Sequence, residues 1–322
     1  MNRILFAVLL VALLGSFGCR EQQKSDIEGF YTLNIDSPED LKEFFSYAPD
    51  RIPFVSAHRG GDRKYFPENC IETFENTLCQ VHAVIEVDPR YTKDSVMVLV
   101  HDATLDRTTT GKGRVNEYTL EELKKLRLKD SEGNITDYQI PTLDEALEWA
   151  RSKTILILDR KDVPITERVK KIMEHKAESC AMVIAYSWDE IKECYSFNPD
   201  IMMEIMLADT VHISRFEETG VPWRNIVAFV SHNLVEDADI FDKIHENGAM
   251  CIAGSSRNHD IAYKKGEIKT FEDLSQKYLK MISDGADIIE ADLAIEAGLS
   301  LRKLYPIDKP GTKNRFFKGP LR

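Results

Sequence analysis

Four short apolar runs end in side chains that can move protons, hold cations or bind phosphate. They are Val55-Ser56-Ala57-His58-Arg59-Gly60-Gly61, Val84-Ile85-Glu86-Val87-Asp88, Val98-Leu99-Val100-His101-Asp102 and Leu156-Ile157-Leu158-Asp159-Arg160-Lys161. Glu86 and Asp88 stand two apart, so on a strand both point to one side. With Asp159 from another strand they offer three oxygen ligands, a set suited to Ca²⁺ or Mg²⁺. Two histidines flanking a cation, His58 and His101, can deprotonate a nucleophile and protonate a leaving group. Arg59 and Lys161 add fixed positive charge, which suits a phosphate. Each residue alone would pass as a solvated strand end. Two histidines, carboxylates and cations at matching strand ends are hard to explain structurally.

These groups meet only if the runs are parallel strands whose C-terminal ends share one mouth. The pattern supports that. From Ile52 onward, β-branched apolar runs alternate with amphipathic segments: Ile52–Ala57, Ala83–Val87, Val96–Val100, Ile155–Leu158, Met182–Ala185, Ile201–Leu207, Ile226–Val230, Met250–Ala253 and Ile288–Ile289. Near-continuous apolar runs are what strands buried on both faces require. Thr119-Leu120-Glu121-Glu122 and Thr142-Leu143-Asp144-Glu145 are capping boxes, each opening a helix. Glu236–Asn247 reads as a helix stopped by Gly248. Such alternation predicts a closed (β/α)8 barrel or an open doubly wound sheet. Nine runs compete for eight barrel positions, and the gap between Asp88 and Val96 is too short for a crossover helix. An extended connection or a local hairpin must serve there.

The chain has 322 residues with 42 Lys and Arg against 54 Asp and Glu, a net charge of −12. That acidic balance excludes a general nucleic-acid binder, which needs a basic surface. Residues 1–18 read as an export signal: Arg3, an apolar core from Ile4 to Leu14, then small residues up to Cys19. The segment resembles a bacterial lipoprotein signal, with Cys19 the lipidated first residue of a membrane-anchored protein facing the periplasm or cell surface. Simple secretion is the alternative. Residues 19–50 read as a tether and leading helix, 51–300 as the barrel, and 301–322 as a basic tail. From Lys309 onward the tail carries Lys309, Lys313, Arg315, Lys318 and Arg322 with no acid after them. It could lie on an anionic membrane surface or simply fray in solvent. Cys70 and Cys79 could pair in an oxidising compartment, although such residues are more often small buried hydrophobes.

Ordered motifs carry a family resemblance. His58-Arg59-Gly60, Pro67-Glu68-Asn69, Glu86-Val87-Asp88, Thr92-Lys93-Asp94, His101-Asp102, Arg107-Thr108-Thr109, Ile140–Glu145 and Asp159-Arg160-Lys161 resemble the glycerophosphodiester phosphodiesterase family. The likeness is dense before residue 162 and thinner up to about residue 295. It implies a TIM (β/α)8 barrel of the phospholipase C-like phosphodiesterase type, with a small insertion after the third strand. It also implies a divalent cation and hydrolysis of glycerophosphodiesters to an alcohol and glycerol 3-phosphate. By resemblance, His58 and His101 are the acid and base. Glu86, Asp88 and Asp159 hold the metal, and Arg59, Lys161 and Asn69 bind substrate.

Some positions depart from the family pattern. Asp159 stands for the usual Glu, one methylene shorter, which favours Ca²⁺ with its tolerant coordination over Mg²⁺. Cys70 follows Asn69 in place of Thr. Glu290-Ala291-Asp292-Leu293-Ala294 replaces Thr-Asp-x-Pro, and Met250–Gly254 lacks the usual Trp. These changes lie partly where the alcohol should sit. The segment from His101 to about Thr136 corresponds to the insertion that walls the substrate site. A phospholipase-like barrel acting on intact lipids is the competing enzyme reading, and a catalytically inactive binding barrel the competing non-enzyme reading. His58, His101, Glu86 and Asp88 argue against the latter.

Overall fold

The computed structural model describes residues 29–235, 237–306 and 314–320. Eight parallel strands close into a barrel in chain order. They are β1 (Phe54–Ala57), β2 (Ala83–Val87), β3 (Leu156–Leu158), β4 (Ala181–Ala185), β5 (Met203–Met206), β6 (Ile226–Ser231), β7 (Cys251–Gly254) and β8 (Ile288–Ala291). Closure comes from β8 against β1, with Ile288 opposite Phe54 and Glu290 opposite Ser56. Strand residues alternate between two cores. Val55, Ala57, Ile85, Val87 and Ile289 face the helices. Phe54, Val84, Ile157, Met182, Met202, Val227, Ile252 and Ile288 fill the interior. Both faces are apolar because both are buried, which is why the runs read as nearly continuous.

The ninth run is not a barrel strand. Met97–Leu99 pairs antiparallel with Pro89–Tyr91, in a hairpin that leaves β2 at once. The turn is tight: the amide of Val96 donates to Thr92 Oγ1 at 2.9 Å, and Ser95 takes φ 62°. The third apolar run is therefore part of the insertion, which lies between β2 and β3 and does not follow the third barrel strand. His101 sits on a loop beyond the hairpin and not at the end of a parallel strand. Residues from Val98 to Ile140 gather a small core of their own, including Cys70, Leu105, Val115, Leu123 and Leu128. Both expected capping boxes form, at Thr119 with Glu122 and at Thr142 with Glu145.

The far end of the barrel is plugged by chain termini. The leading helix runs from Pro38 to Phe44, and Leu33, Ile35, Leu41, Phe44 and Phe45 are buried against Phe54. Much of the expected tether is thus structural. So is part of the expected basic tail: Phe317–Lys318 pairs antiparallel with Thr32–Leu33, and Phe316 and Phe317 are buried. Arg315 lies 3.1 Å from Asp40 and 2.9 Å from Glu43. From Lys309 onward the sequence shows no acid, and the partners of Arg315 come from the leading helix.

Cys70 and Cys79 are free. They bracket the helix Ile71–Leu78, whose rise of ~1.5 Å per residue keeps them too far apart for a disulfide. Among the described residues no helix is long and apolar enough to cross a membrane. The expected export signal and Cys19 lie outside the described residues.

Candidate active site

The chain turns sharply after β1. His58–Gly60 form one 3-10 turn, with Arg59 at φ 52° and Gly60 at φ 91°. A Cβ on Gly60 would lie 2.4 Å from Phe74 Cδ1, so only glycine fits. The turn brings the Arg59 amide to Glu86 Oε2 at 2.9 Å. Its guanidinium lies 3.3 Å from Glu68 and 3.7 Å from Asp88. Arg59, Asn69 and Lys161 all hold left-handed backbone, at φ 52°, 55° and 38°. Such strain costs about 1–3 kcal/mol per residue, and three of the seven non-glycine residues with positive φ among the described residues are expected site residues.

The two histidines are oriented by separate carboxylates. His58 Nδ1 donates to Asp292 Oδ1 at 2.7 Å, and Lys264 holds the other Asp292 oxygen at 2.8 Å. His101 Nδ1 donates to Asp102 Oδ1 at 2.8 Å. Arg107 grips Asp102 at 2.7 and 2.9 Å. It also grips both oxygens of Glu68 at 2.7 Å. Glu68 therefore ties the arginine beside His58 to the arginine behind His101.

The environments push the two imidazoles apart. Burial favours neutral His58, but the Asp292 hydrogen bond and the Glu290 charge outweigh it, so its pKa is raised. Burial also favours neutral His101, and there Arg59 and Lys161 help it outweigh Asp88 and Asp102, so its pKa is lowered. Such a split is how acid and base assignments arise in one site.

Glu86, Asp88 and Asp159 come together as expected, buried, with ligand oxygens within 4.8 Å of one another. Burial, Asp88 and Asp159 push the Glu86 carboxyl well above its ordinary range. That is the mark of carboxylates crowded without enough positive charge. Three hard oxygen donors in such a setting fit a divalent cation. Asp159 also contacts Lys161 and accepts from the Tyr186 hydroxyl. Burial opposes its ionisation, yet these partners hold its pKa below the ordinary value. The shorter side chain thus reaches the cluster with β3 in place.

A cavity of about 210 Å³ opens here, lined by His58, Arg59, Glu86, His101, Asp159 and Lys161 among others. Asn69, expected to touch substrate, does not line it. Its amide nitrogen donates to Asp88 Oδ2 at 2.6 Å and its carbonyl accepts from the Asp88 amide at 3.0 Å. With both polar ends engaged, Asn69 positions Asp88. Sequence reading did not single out Tyr186, Glu204, His232 or Arg257, which also line the cavity, while Glu290, noted there as a departure from the family pattern, lines it as well. Tyr186 and His232 directly follow the ends of β4 and β6, so the same strand-end rule would have found them.

Two histidines, a carboxylate cluster that could hold a hard cation and fixed positive charge thus converge on the C-terminal mouth of a TIM barrel, the face where such barrels carry their active sites. Residues 58–253 match the model of the glycerophosphoryl diester phosphodiesterase family, and the chain belongs to that family. It is 33% identical over 160 residues to the glycerophosphodiester phosphodiesterase of Caldanaerobacter subterraneus, covering 47% of this chain and 65% of that one, about two thirds of its length. A second relative, from Bacillus altitudinis, is 33% identical over 170 residues, covering 49% of this chain and 68% of that one. A crystal structure of a glycerophosphoryl diester phosphodiesterase from Parabacteroides distasonis is 43% identical and superposes with a TM-score of 0.85, covering 90% of this chain and 99% of that one. An Oleispira antarctica phosphodiesterase, solved with the product sn-glycerol-3-phosphate, shares the fold at 21% identity and a TM-score of 0.58, covering 78% of this chain and 97% of that one.

Proposed function

We propose that the protein hydrolyses glycerophosphodiesters to an alcohol and glycerol 3-phosphate by two-histidine acid/base catalysis. The observation that carries this is the placing of His58 and His101, with opposite pKa shifts, on one cavity beside the carboxylate triad. Arg59 and Lys161 hold the phosphate oxygens. His101, neutral, takes the proton from the glyceryl 2-hydroxyl, whose oxygen attacks phosphorus. The bond to the alcohol breaks, and His58 gives its proton to the departing oxygen. Water then opens the resulting cyclic phosphate. His58 now accepts the water proton, and His101 returns its proton to the 2-oxygen. Glu86, Asp88 and Asp159 would hold the divalent cation, Ca²⁺ in preference to Mg²⁺, which when bound adds positive charge beside the phosphate.

The test is release of glycerol 3-phosphate from a panel of glycerophosphodiesters by purified protein, with Ca²⁺ and Mg²⁺ in turn. Release above background is expected, larger with Ca²⁺. No release from any diester with either ion would overturn the reading.

The N-terminal sequence supports a further part of the proposal. Export and lipidation at Cys19 would place the enzyme on a membrane surface, where deacylated headgroups arise. Cys19→Ser should free the protein from membranes. Continued sedimentation would make the apolar segment itself, or the basic C-terminal residues, the anchor.

A further inference from the structure

One fully buried carboxylate has no part in the mechanism described. Asp260 stands at the second position of the helix His259–Lys264. Four donors surround it. Its Oδ1 accepts from Ser255 Oγ at 2.6 Å and from the Tyr278 hydroxyl at 2.8 Å. Its Oδ2 accepts from two successive amides, Asp292 at 2.8 Å and Leu293 at 3.1 Å. Ser255 and Tyr278 are buried too. Burial and the Asp260 charge raise the Tyr278 pKa, which keeps the hydroxyl proton in place to donate. Burial also raises the pKa of Asp260 itself, while Ser255, Tyr278 and the Leu293 amide work against that rise.

The two amides belong to the turn between β8 and the helix Ala294–Leu304, and Leu293, which precedes that helix, has no capping side chain. The first amides of a helix lack partners within it. Asp260 supplies from a distant stretch what a capping side chain supplies locally, and an ionised acceptor makes the stronger bond. Capping alone would explain the contact if Asp292 were idle. It is not: its Oδ1 accepts from His58 Nδ1 at 2.7 Å. Lys264, four residues after Asp260 and so on the same helix face, holds the other Asp292 oxygen at 2.8 Å. One short helix thus grips Asp292 at both backbone and side chain.

The charges facing His58 are Asp292 and Glu290 from β8 and its end, Arg59 from its own turn and His232 from the end of β6. Those facing Asp292 include Lys264, Asp62 and Asp260. Asp260 bonds to the backbone of Asp292 and not to His58. We infer that Asp260 is a positioning residue: by holding the amides of Asp292 and Leu293 it fixes the Asp292 carboxylate against His58 Nδ1. This rests on the hydrolase reading, in which His58 gives its proton to the departing oxygen. A turn released from Asp260 lets Asp292 drift, and an error of ~1 Å at such a place can cost about 100-fold.

Two variants separate position from mere stability. Asp260→Leu fills similar space and accepts nothing. Asp260→Asn keeps a carbonyl for both amides, and its amide can donate to the Ser255 and Tyr278 oxygens. Each is measured in Ca²⁺ by full pH profiles of glycerophosphoethanolamine hydrolysis. Each is also measured by NMR titration of the His58 ring, identified by the signal missing in His58→Gln, which needs no turnover. Asp260→Leu should lower kcat by about tenfold to a hundredfold, with a smaller change in KM. Its His58 should titrate lower than in the native protein, because burial then outweighs a weakened Asp292 bond. The alkaline limb of kcat/KM should move down with it. Asp260→Asn should restore most of both. In an Asp292→Asn background, Asp260→Leu should shift neither further, the non-additivity expected when one residue acts through another.

An Asp260→Leu protein that melts earlier, with His58 and the alkaline limb where the native protein has them, overturns the inference. So does a further His58 shift in the Asp292→Asn background. If Asp260→Leu does not fold, the double variant Ser255→Ala/Tyr278→Phe, which frees Oδ1, must lower His58 in the same direction, and no movement there is equally fatal. Native protein that hydrolyses no diester, while His58 still follows Asp260 as stated, sinks the hydrolase reading and leaves the positioning contact standing.

Discussion

At the scale of single residues, the site works by giving similar side chains different surroundings. His58 has Asp292 and Glu290 to stabilise its proton, while His101 shares its surroundings with Arg59 and Lys161. On the proposed mechanism, the acid limb of the pH–rate profile should therefore report His101, which acts there without its proton. The alkaline limb should report His58, whose proton must be present. Asp292→Asn weakens the interaction that holds the His58 proton, so burial then dominates and the pKa falls. The alkaline limb of kcat/KM should move to lower pH with the acid limb unmoved, as measured by full pH profiles. A shift of the acid limb instead would reverse the two roles. His58→Ala and His101→Ala should each lose about 10²–10⁴-fold in kcat with unchanged circular dichroism. Near-native turnover in either would remove that histidine from the mechanism.

At the scale of elements, the second histidine depends on an insertion and not on the barrel. His101 lies past the hairpin Pro89–Tyr91 and Met97–Leu99, and is fixed to the barrel side through Asp102, Arg107 and Glu68. Arg107→Ala breaks both bidentate contacts at once. Because a displacement of ~1 Å can cost about 100-fold, kcat should drop by roughly tenfold to a hundredfold while KM changes less. Arg107→Lys should fall between, since it keeps charge but not the planar fork. Equal kinetics for the native and Arg107→Ala proteins would show that Asp102 alone orients His101. The same element marks where sequence reading reached its limit. Val96–Val100 has the composition of a buried strand because it packs in the small core with Leu105 and Leu128, and composition does not reveal which core a strand joins. The triad of Glu86, Asp88 and Asp159 was legible because strand spacing fixes direction. Glu204 was not, because it lies inside the run Ile201–Leu207 and not at its end, and Glu290 stood out only as a departure from the family pattern. Asn69 was misplaced for a third reason: its partner, Asp88, is nineteen residues away, and only the left-handed turn at Asn69 brings them together.

At the scale of the whole molecule, charge and packing are divided between the two ends of the barrel. One end is sealed by Phe44, Phe45, Phe316 and Phe317, contributed by both termini. The other gathers Glu86, Asp88, Asp159, Glu204 and Glu290, all buried, in a chain of net charge −12. Phe317→Ala should therefore cost stability, about 3 kcal/mol by the usual scale of such truncations, and leave kcat unchanged; a matching loss of kcat would mean that the sealed end controls the mouth. The acidic end behaves oppositely, since its repulsion is relieved by a ligand rather than by packing. A cation that binds only the folded chain stabilises it by about 2.7 kcal/mol at a hundredfold excess over Kd, which for a chain of this size raises Tm by roughly 5 °C. Excess chelator should lower Tm and abolish turnover, and Ca²⁺ should restore both better than Mg²⁺. Asp159→Glu should bind Ca²⁺ at least as well as the native protein. Glu86→Gln gives the sharper control. Removing one crowded carboxylate should raise Tm in chelator, yet remove the further rise on adding Ca²⁺. If Glu86→Gln still gains the full Ca²⁺-dependent increment, the ion binds elsewhere and the triad is not its site.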